Sequence, residues 1–259
     1  MLTVSDLTVE YMDGTRAIEN VSFSVTPGES VALIGANGAG KTTLLLALVG
    51  VLLPIKGGIV IDRMNEHNLD THIMDVHSLN EDSVNEHSMT LSARADKKIL
   101  REFRKRIGVV FQNPDDQLFM PSIYEDVAFG PRSFGCDESE TARRVHTALS
   151  QLGIDHLAER SPLKLSGGEK RLAAIATVLS MEPEYLLLDE PTAFLDPRAK
   201  RNLAAVVSEL PQGKIIATHD LAFAEKVCSR VLLLQNGKLI EDGSMSILRD
   251  AEKLEAAGL

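Results

Sequence analysis

An α/β fold with a mainly parallel core sheet is what this sequence predicts, and three observations carry that expectation. Short continuous apolar runs recur at Ser30-Val31-Ala32-Leu33-Ile34, Tyr185-Leu186-Leu187-Leu188 and Ile215-Ile216-Ala217-Thr218, the texture of strands buried on both faces. Helical segments follow them: Thr43 to Val49, Pro197 to Leu210 and Leu221 to Cys228. The runs also end on chemically able residues: a glycine-rich loop, Asp189-Glu190 and His219-Asp220. Ligands of open parallel sheets bind outside the carboxyl ends of the strands, so these three ends and a fourth at Gln112 converge on one edge.

Composition limits the classes available. At 259 residues the chain is one large domain or a domain with a subdomain, and 44% hydrophobic content supplies a core. A net charge of −10 weighs against unaided binding to nucleic acid or anionic lipid. Cys136 and Cys228 are the only cysteines and form no C-x-x-C pair, as expected of reduced thiols in a cytosolic protein. Met1 to Asp6 has neither a basic start nor an apolar core, which argues against a secretory signal. The longest apolar run, Leu44 to Ile55, is broken by Gly50 and Pro54 and is too short to span a bilayer. A soluble protein is expected, with any membrane role exercised through a partner.

Taken in order, Leu2 to Tyr11 and Ala17 to Val25 alternate at period two around Asp13-Gly14, which predicts an amino-terminal antiparallel pair. Pro27-Gly28-Glu29 turns the chain into the Ser30 strand. Gly57-Gly58 is read as a break before a short strand, Ile59-Val60-Ile61. From Asp62 to Lys98 neither period persists, and eight acidic residues and four of the seven histidines gather there, the composition of a surface insertion. A basic amphipathic helix over Ile99 to Arg106 and a strand over Ile107 to Phe111 follow, with Gln112 at the strand's end. Asn113 to Leu165 reads as a helical subdomain, including a helix from Ser139 to Leu152. Ser166 with Glu169 makes a capping box that opens an Ala/Leu-rich helix bounded by Pro183. Val231 to Leu234 pairs with Lys238 to Glu241 across Asn236-Gly237, and a polar helix is expected from Met245.

The most specific chemistry lies at Gly35-Ala36-Asn37-Gly38-Ala39-Gly40-Lys41-Thr42-Thr43, which fits G-x-x-x-x-G-K-[ST] between a strand and a helix. Glycines let successive N–H groups turn inward on phosphate oxygens, and the helix adds its positive end. Lys41 supplies a point charge to the outer phosphates and the Thr42 hydroxyl a ligand for Mg2+. The chain is thus expected to bind a nucleoside triphosphate, with Asn37, Gly38, Gly40, Lys41, Thr42 and Thr43 around it. Four apolar residues ending in Asp189 describe a Walker B strand. Its carboxylate suits magnesium, and Glu190 is placed to take a proton from water attacking the terminal phosphate. Other residues stay open at this point. Gln112 is either a magnesium-directed amide or an ordinary strand-end residue, and His219 either a hydrogen-bonding partner of the water or phosphate or a structural histidine. Tyr11 either stacks on a base or packs across the strands. Ser166-Gly167-Gly168 is a second anion-facing helix start, and nothing in its chemistry says that it serves the same nucleotide.

With these motifs together, the chain resembles the ATP-binding-cassette ATPases over nearly its full length. Leu165-Ser166-Gly167-Gly168-Glu169 is similar to the family's signature motif, Phe194-Leu195-Asp196-Pro197 to its D-loop, Gln112 to its Q-loop residue, His219 to its switch histidine and Tyr11 to its adenine-stacking aromatic. The resemblance implies ATP and Mg2+ as cofactors, with Thr42, Gln112 and Asp189 around the metal and Lys41, Gln112, Glu190 and His219 in catalysis. It also implies a head-to-tail dimer, of this chain or with a close paralogue, in which each signature loop completes the other site. It organises the chain as a P-loop NTPase, a single nucleotide-binding domain over 1–259 with an amino-terminal antiparallel β subdomain. In that division 1–111 and 166–244 form the core, 62–98 the insertion, 112–165 the helical signature subdomain and 245–259 a carboxy-terminal helix.

A narrower similarity joins Val110 to Phe119 and Glu125 to Pro131 to energy-coupling-factor importers. Leu165 to Asp189 and Ala217 to Leu221 most resemble their dedicated cobalt and nickel members. This resemblance implies a peripheral ATPase at the cytoplasmic face of the membrane, importing cobalt or nickel. A transmembrane coupling subunit, docked around Gln112 to Phe119, and a substrate-binding membrane subunit are its expected partners, and nucleic acid is not. A vitamin importer of the same group, or a soluble cassette ATPase outside transport, are the alternatives. Phe194 stands where glycine is frequent, expected as neutral packing variation, and the insertion is longer than the family needs.

His67, His72, His77 and His87 lie among carboxylates in that insertion, ligand types suited to nickel or cobalt. Their spacings of five, five and ten put no pair on one helical face at i, i+4, which favours a solvated insertion. Calorimetric titration of nickel and cobalt is expected to give equal weak heats for the wild type and a variant with all four histidines changed to alanine. A saturable heat lost in the variant would instead establish a metal site.

Overall fold

The computed structural model describes residues 1–62, 88–93, 95–256 and 258–259. The insertion's histidines therefore lie outside the described residues. Two sheets frame the described residues. The first runs β2-β1-β4-β5 and is antiparallel throughout, from β1 (Leu2–Glu10), β2 (Arg16–Val25), β4 (Lys56–Asp62) and β5 (Ser88–Leu91). The second runs β10-β9-β3-β8-β7-β6. Its members are β3 (Ser30–Ile34), β6 (Ile107–Val110), β7 (Tyr185–Asp189), β8 (Gly213–Ala217), β9 (Arg230–Gln235) and β10 (Lys238–Ser244). All its pairings are parallel except the β9–β10 hairpin.

Burial on both faces is visible in the side chains. Ala32 and Ile34 of β3, with Leu186 and Leu188 of β7, face one apolar cluster; Val31, Leu33, Tyr185 and Leu187 face another. The second cluster takes in α1 (Lys41–Leu48) through Leu44, Leu45 and Leu48, and the inward residues of β1 and β2. The phosphate-loop helix is thereby held between the two sheets. The first cluster takes in α3 (Ile123–Ser133), α4 (Glu138–Gln151), α5 (Gly167–Leu179), α6 (Pro197–Glu209) and α7 (Leu221–Val227). The capping box of α5 is formed, with Ser166 Oγ accepting from the Glu169 N–H and Glu169 Oε2 accepting from the Ser166 N–H at 2.8 Å.

Four elements differ from the sequence reading. Gly57-Gly58 does not break the chain but lies inside β4, where β1 bulges at Asp6. Gly57 has φ +79°, and a Cβ there would sit 2.3 Å from the Ser5 carbonyl oxygen, so close strand approach requires the glycine. Order also returns earlier than Lys98. Ser88–Leu91 adds the edge strand β5 with Met89 and Leu91 buried, and α2 (Lys97–Arg106) starts from Asp96, whose carboxylate caps Lys98 N and Ile99 N. The polar helix expected from Met245 is two pieces. A 3-10 turn over Met245–Arg249 buries Ile247 and Leu248 first, and α8 (Ala251–Ala256) follows. Phe194 is not accommodated by packing: it is 93% exposed with φ +62°, the backbone region that favours glycine. Among the described residues no helix is long and apolar enough to cross a membrane.

Strands β6 and β7 are joined at their entry by Arg106. Its guanidinium makes a bidentate pair with Glu184, at 2.7 and 2.9 Å, and donates to Ile61 O at 2.7 Å. One side chain thus ties β4 to both. Arg106→Ala is expected to lower unfolding stability by about 2–3 kcal/mol, between the surface and buried limits for ion pairs, as read from urea denaturation.

Candidate nucleotide site

Because β3, β6, β7 and β8 run parallel, the loops leaving them share one edge. There they enclose a cleft of about 730 Å³, which Tyr11, Lys41, Thr42, Gln112, Asp189, Glu190 and His219 all line. Asn37, Gly38, Gly40 and Thr43 complete its phosphate-loop wall.

The loop is shaped before any ligand arrives. Gly40 caps α1 in a left-handed conformation (φ 104°) with no side-chain cap, and a Cβ there would lie 2.8 Å from Ala17 O. The first N–H groups of α1 are therefore left to an anion. Lys41 is 8% exposed, and its Nζ donates to Gly35 O (2.7 Å) and Ala36 O (3.1 Å). Burial lowers its pKa, opposed by the negative charges of Glu190 and Asp189. Thr42 Oγ1 donates to Asp189 Oδ2 at 2.8 Å, so the hydroxyl and the carboxylate that suit one divalent cation are in direct contact. Asp189 is buried, and loss of solvent pushes its pKa up, with Glu190 adding to the rise and the Thr42 bond opposing it.

Glu190 follows in a left-handed conformation (φ 44°) while its N–H still bonds Ala217 O at 2.8 Å. Its carboxylate lies 2.8 Å from His219 Nδ1, and the imidazole is 66% exposed. The acid is buried and the ring reaches into the cleft. Tyr11 shares a hydrogen bond with Thr43 Oγ1 (2.6 Å), and the residue is 42% exposed where it lines the cleft. Hydroxyl, carboxylates and amide around a buried lysine and an uncapped helix start are a donor set that fits a triphosphate with a hard divalent cation.

Two outcomes lay beyond the sequence reading. Thr15, Arg16, Ala17, Asn236 and Gly237 also line the cleft. The β9–β10 turn was legible only as a turn, yet Gly237 N donates to Ala39 O (2.9 Å) and Gly237 O accepts from Glu19 N (2.8 Å), which pins it against the phosphate loop. The signature residues, by contrast, are not in this cleft. Ser166 and Gly168 line a separate pocket of about 210 Å³ with Leu195 and Asp196, and Gly167 lies beside Leu195.

A glycine-rich loop before α1, an acid-terminated β7 and a parallel sheet between them define a P-loop nucleoside-triphosphatase. The family model described as "ABC transporter" matches residues 18–193. The chain is 39% identical to the energy-coupling factor transporter ATP-binding protein EcfA of Methanothermobacter thermautotrophicus, over 100% of this chain and 76% of that one. It is likewise 39% identical to EcfA of Carboxydothermus hydrogenoformans, over 99% and 85% of the two chains. Among solved structures, CbiO1 of Clostridium perfringens, part of the ABC transporter complex CbiONQ, superposes with a TM-score of 0.78 at 33% identity, covering 98% of this chain and 92% of that one. The chain belongs to the ABC transporter family, as an ATP-hydrolysing subunit of the energy-coupling-factor type.

The raised pKa of Asp189 has a definite sign in stability. The folded state binds this proton more readily than the unfolded chain, so stability falls as pH rises from the ordinary aspartate range through the raised value, and the ionised group is a net cost at neutral pH. Asp189→Asn, which still accepts from Thr42, is therefore expected to raise the melting temperature of the nucleotide-free protein at pH 7 and to flatten that slope. A lower melting temperature across the range would contradict the assignment.

Proposed function

We propose that this chain drives uptake of a transition-metal ion, cobalt or nickel, by hydrolysing ATP with Mg2+ in a head-to-tail dimer at the cytoplasmic face of the membrane. The observation that carries the dimer is the position of Ser166. The signature loop opens into its own pocket, away from the cleft that holds Lys41, so each chain presents half of a site and a second chain supplies the other half. When bound, magnesium-ATP supplies the terminal phosphoryl group that passes to water. Lys41 contributes positive charge beside the outer phosphates, from a position preset by Gly35 and Ala36. Thr42, Asp189 and Gln112, which line the same cleft, would hold the Mg2+. Glu190 takes the proton of the attacking water, and His219 orients that carboxylate through Nδ1. Tyr11 offers a ring face to the base, its hydroxyl fixed on α1.

The membrane partners have support in an aromatic surface formed by the segment that follows Gln112 and by α3. Phe119 (63% exposed) and Phe129 (46%) meet edge to face at 5.3 Å, and buried Asp126 fixes the approach by accepting from Phe119 N and Met120 N, each at 2.9 Å. An exposed aromatic pair held in this way suits an amphipathic helix of a transmembrane coupling subunit. Affinity capture from native membranes, followed by identification of the co-purified subunits, separates a metal importer from a vitamin importer of the same group. The metal reading also draws on the similarity of Leu165 to Asp189 to cobalt and nickel importers.

Glu190→Gln is expected to keep ATP binding, lose turnover by about 100-fold or more, and accumulate as a dimer in ATP by size-exclusion chromatography. Lys41→Ala is expected to lose nucleotide affinity. Unchanged hydrolysis in Glu190→Gln would overturn the mechanism.

A further inference from the structure

Arg171 heads the fully buried side chains by volume, at 1% exposure, and sits in α5 five residues beyond Ser166. A guanidinium removed from water needs compensation. Here Nη1 donates to Phe111 O at 2.7 Å and Nη2 to Gln112 O at 2.6 Å, while Nε has no hydrogen-bond partner among the described residues. Burial pulls its pKa down to about 10, with Asp189 opposing the fall. For packing alone this is a costly choice, because a neutral side chain of the same volume fills such space without desolvating a charge.

The two carbonyls identify what the charge holds. The β6–β7 ladder ends at the Val110–Leu188 pair, so Phe111 and Gln112 are already outside the sheet. Beyond them the chain is fastened to α5 again. Gln117 Nε2 donates to Ala174 O (2.8 Å) and Thr177 Oγ1 (2.7 Å), its Oε1 accepts from Phe111 N (3.2 Å), and Lys170 pairs with Asp115 at 2.6 Å. Positions 171, 174 and 177 lie on one face of α5. The segment that carries Gln112 into the cleft is thus attached at three points to the helix whose amino end is Ser166.

We propose that Arg171 is a positioning residue for ATP hydrolysis, locking the Gln112 segment to the signature helix so that Gln112 and Ser166 move as one body. This rests on the proposed roles of Gln112 and Ser166. Since those two ends serve different nucleotide sites of the dimer, the lock makes the placement of Gln112 in one site follow the seating of Ser166 in the other. Arginine is suited to this because its rigid fork spans two adjacent carbonyls, which a lysine point charge does not.

The test compares the full-length wild type, Arg171→Met, Arg171→Lys, Gln112→Ala and the Arg171→Met/Gln112→Ala double variant, by kcat, KM, fluorescent-nucleotide affinity and melting temperature. Arg171→Met is expected to keep nucleotide affinity within about 2-fold while kcat falls about 10-fold or more, since a misplacement of about 1 Å near the chemistry costs up to about 100-fold. Arg171→Lys is expected to recover part of kcat. The double variant is expected to be no slower than Gln112→Ala alone, the signature of two residues acting as one unit. Wild-type kcat in Arg171→Met, or a loss that multiplies with that of Gln112→Ala, overturns the proposal. If Arg171→Met melts early, Arg171→Lys carries the same comparison in the Gln112→Ala background. Full activity in Gln112→Ala itself removes the reading beneath the proposal and the proposal with it, a result distinct from a failure of Arg171 alone.

Discussion

The hydrogen bond from Thr42 to Asp189 joins positions 147 residues apart, and most of the architecture can be understood as what makes that contact possible. Thr42 is fixed by α1, which is held between the two sheets through Leu44, Leu45 and Leu48. Asp189 is fixed by β7, whose central place between β6 and β8 aligns its end with theirs. β8 lies between β3 and β7, so loops that are remote in sequence meet at neighbouring strand ends. A parallel ladder makes this edge common to all of them, and few arrangements of the same strands would.

Electrostatically, the cleft is assembled in tension. Two buried acids, Asp189 and Glu190, stand near a single buried lysine, and burial disfavours the charge on both Asp189 and Lys41. Glu190 also occupies a left-handed backbone conformation that costs roughly 1 kcal/mol or more for a residue with a side chain. Such a site gains on meeting a polyanion with a divalent cation, because each desolvated group then acquires a partner of opposite charge. Preorganisation of this kind places the cost in folding rather than at the moment of reaction.

How much of this was legible depended on range. The phosphate loop, the capping box at Ser166 and the acid-terminated β7 are local patterns, and each is found where the residues put it. The β5 strand was missed because four residues give too little alternation to separate from a polar surrounding, and Gly57-Gly58 was misread because the bulge at Asp6 that needs it lies fifty residues earlier. Arg16 and Asn236 reach the cleft only through tertiary placement of two hairpins, which no local spacing encodes. Arg171 was invisible for the same reason: one arginine in a signature helix reads as solvent-facing until its carbonyl partners are known.

The first sheet ends on β5, and Asp62 pairs with Ser88 across its outermost ladder. The two points where the insertion leaves and re-enters the described fold are therefore neighbours, on the paired strands β4 and β5 of a sheet that helps to hold α1. Closing a longer segment between fixed neighbours costs only the logarithm of its length. The strands that carry the catalytic edge belong to the other sheet, so the length of chain joining these two points bears little on them. For the same reason this segment is a natural place to graft a fluorophore or an affinity handle on a working transporter.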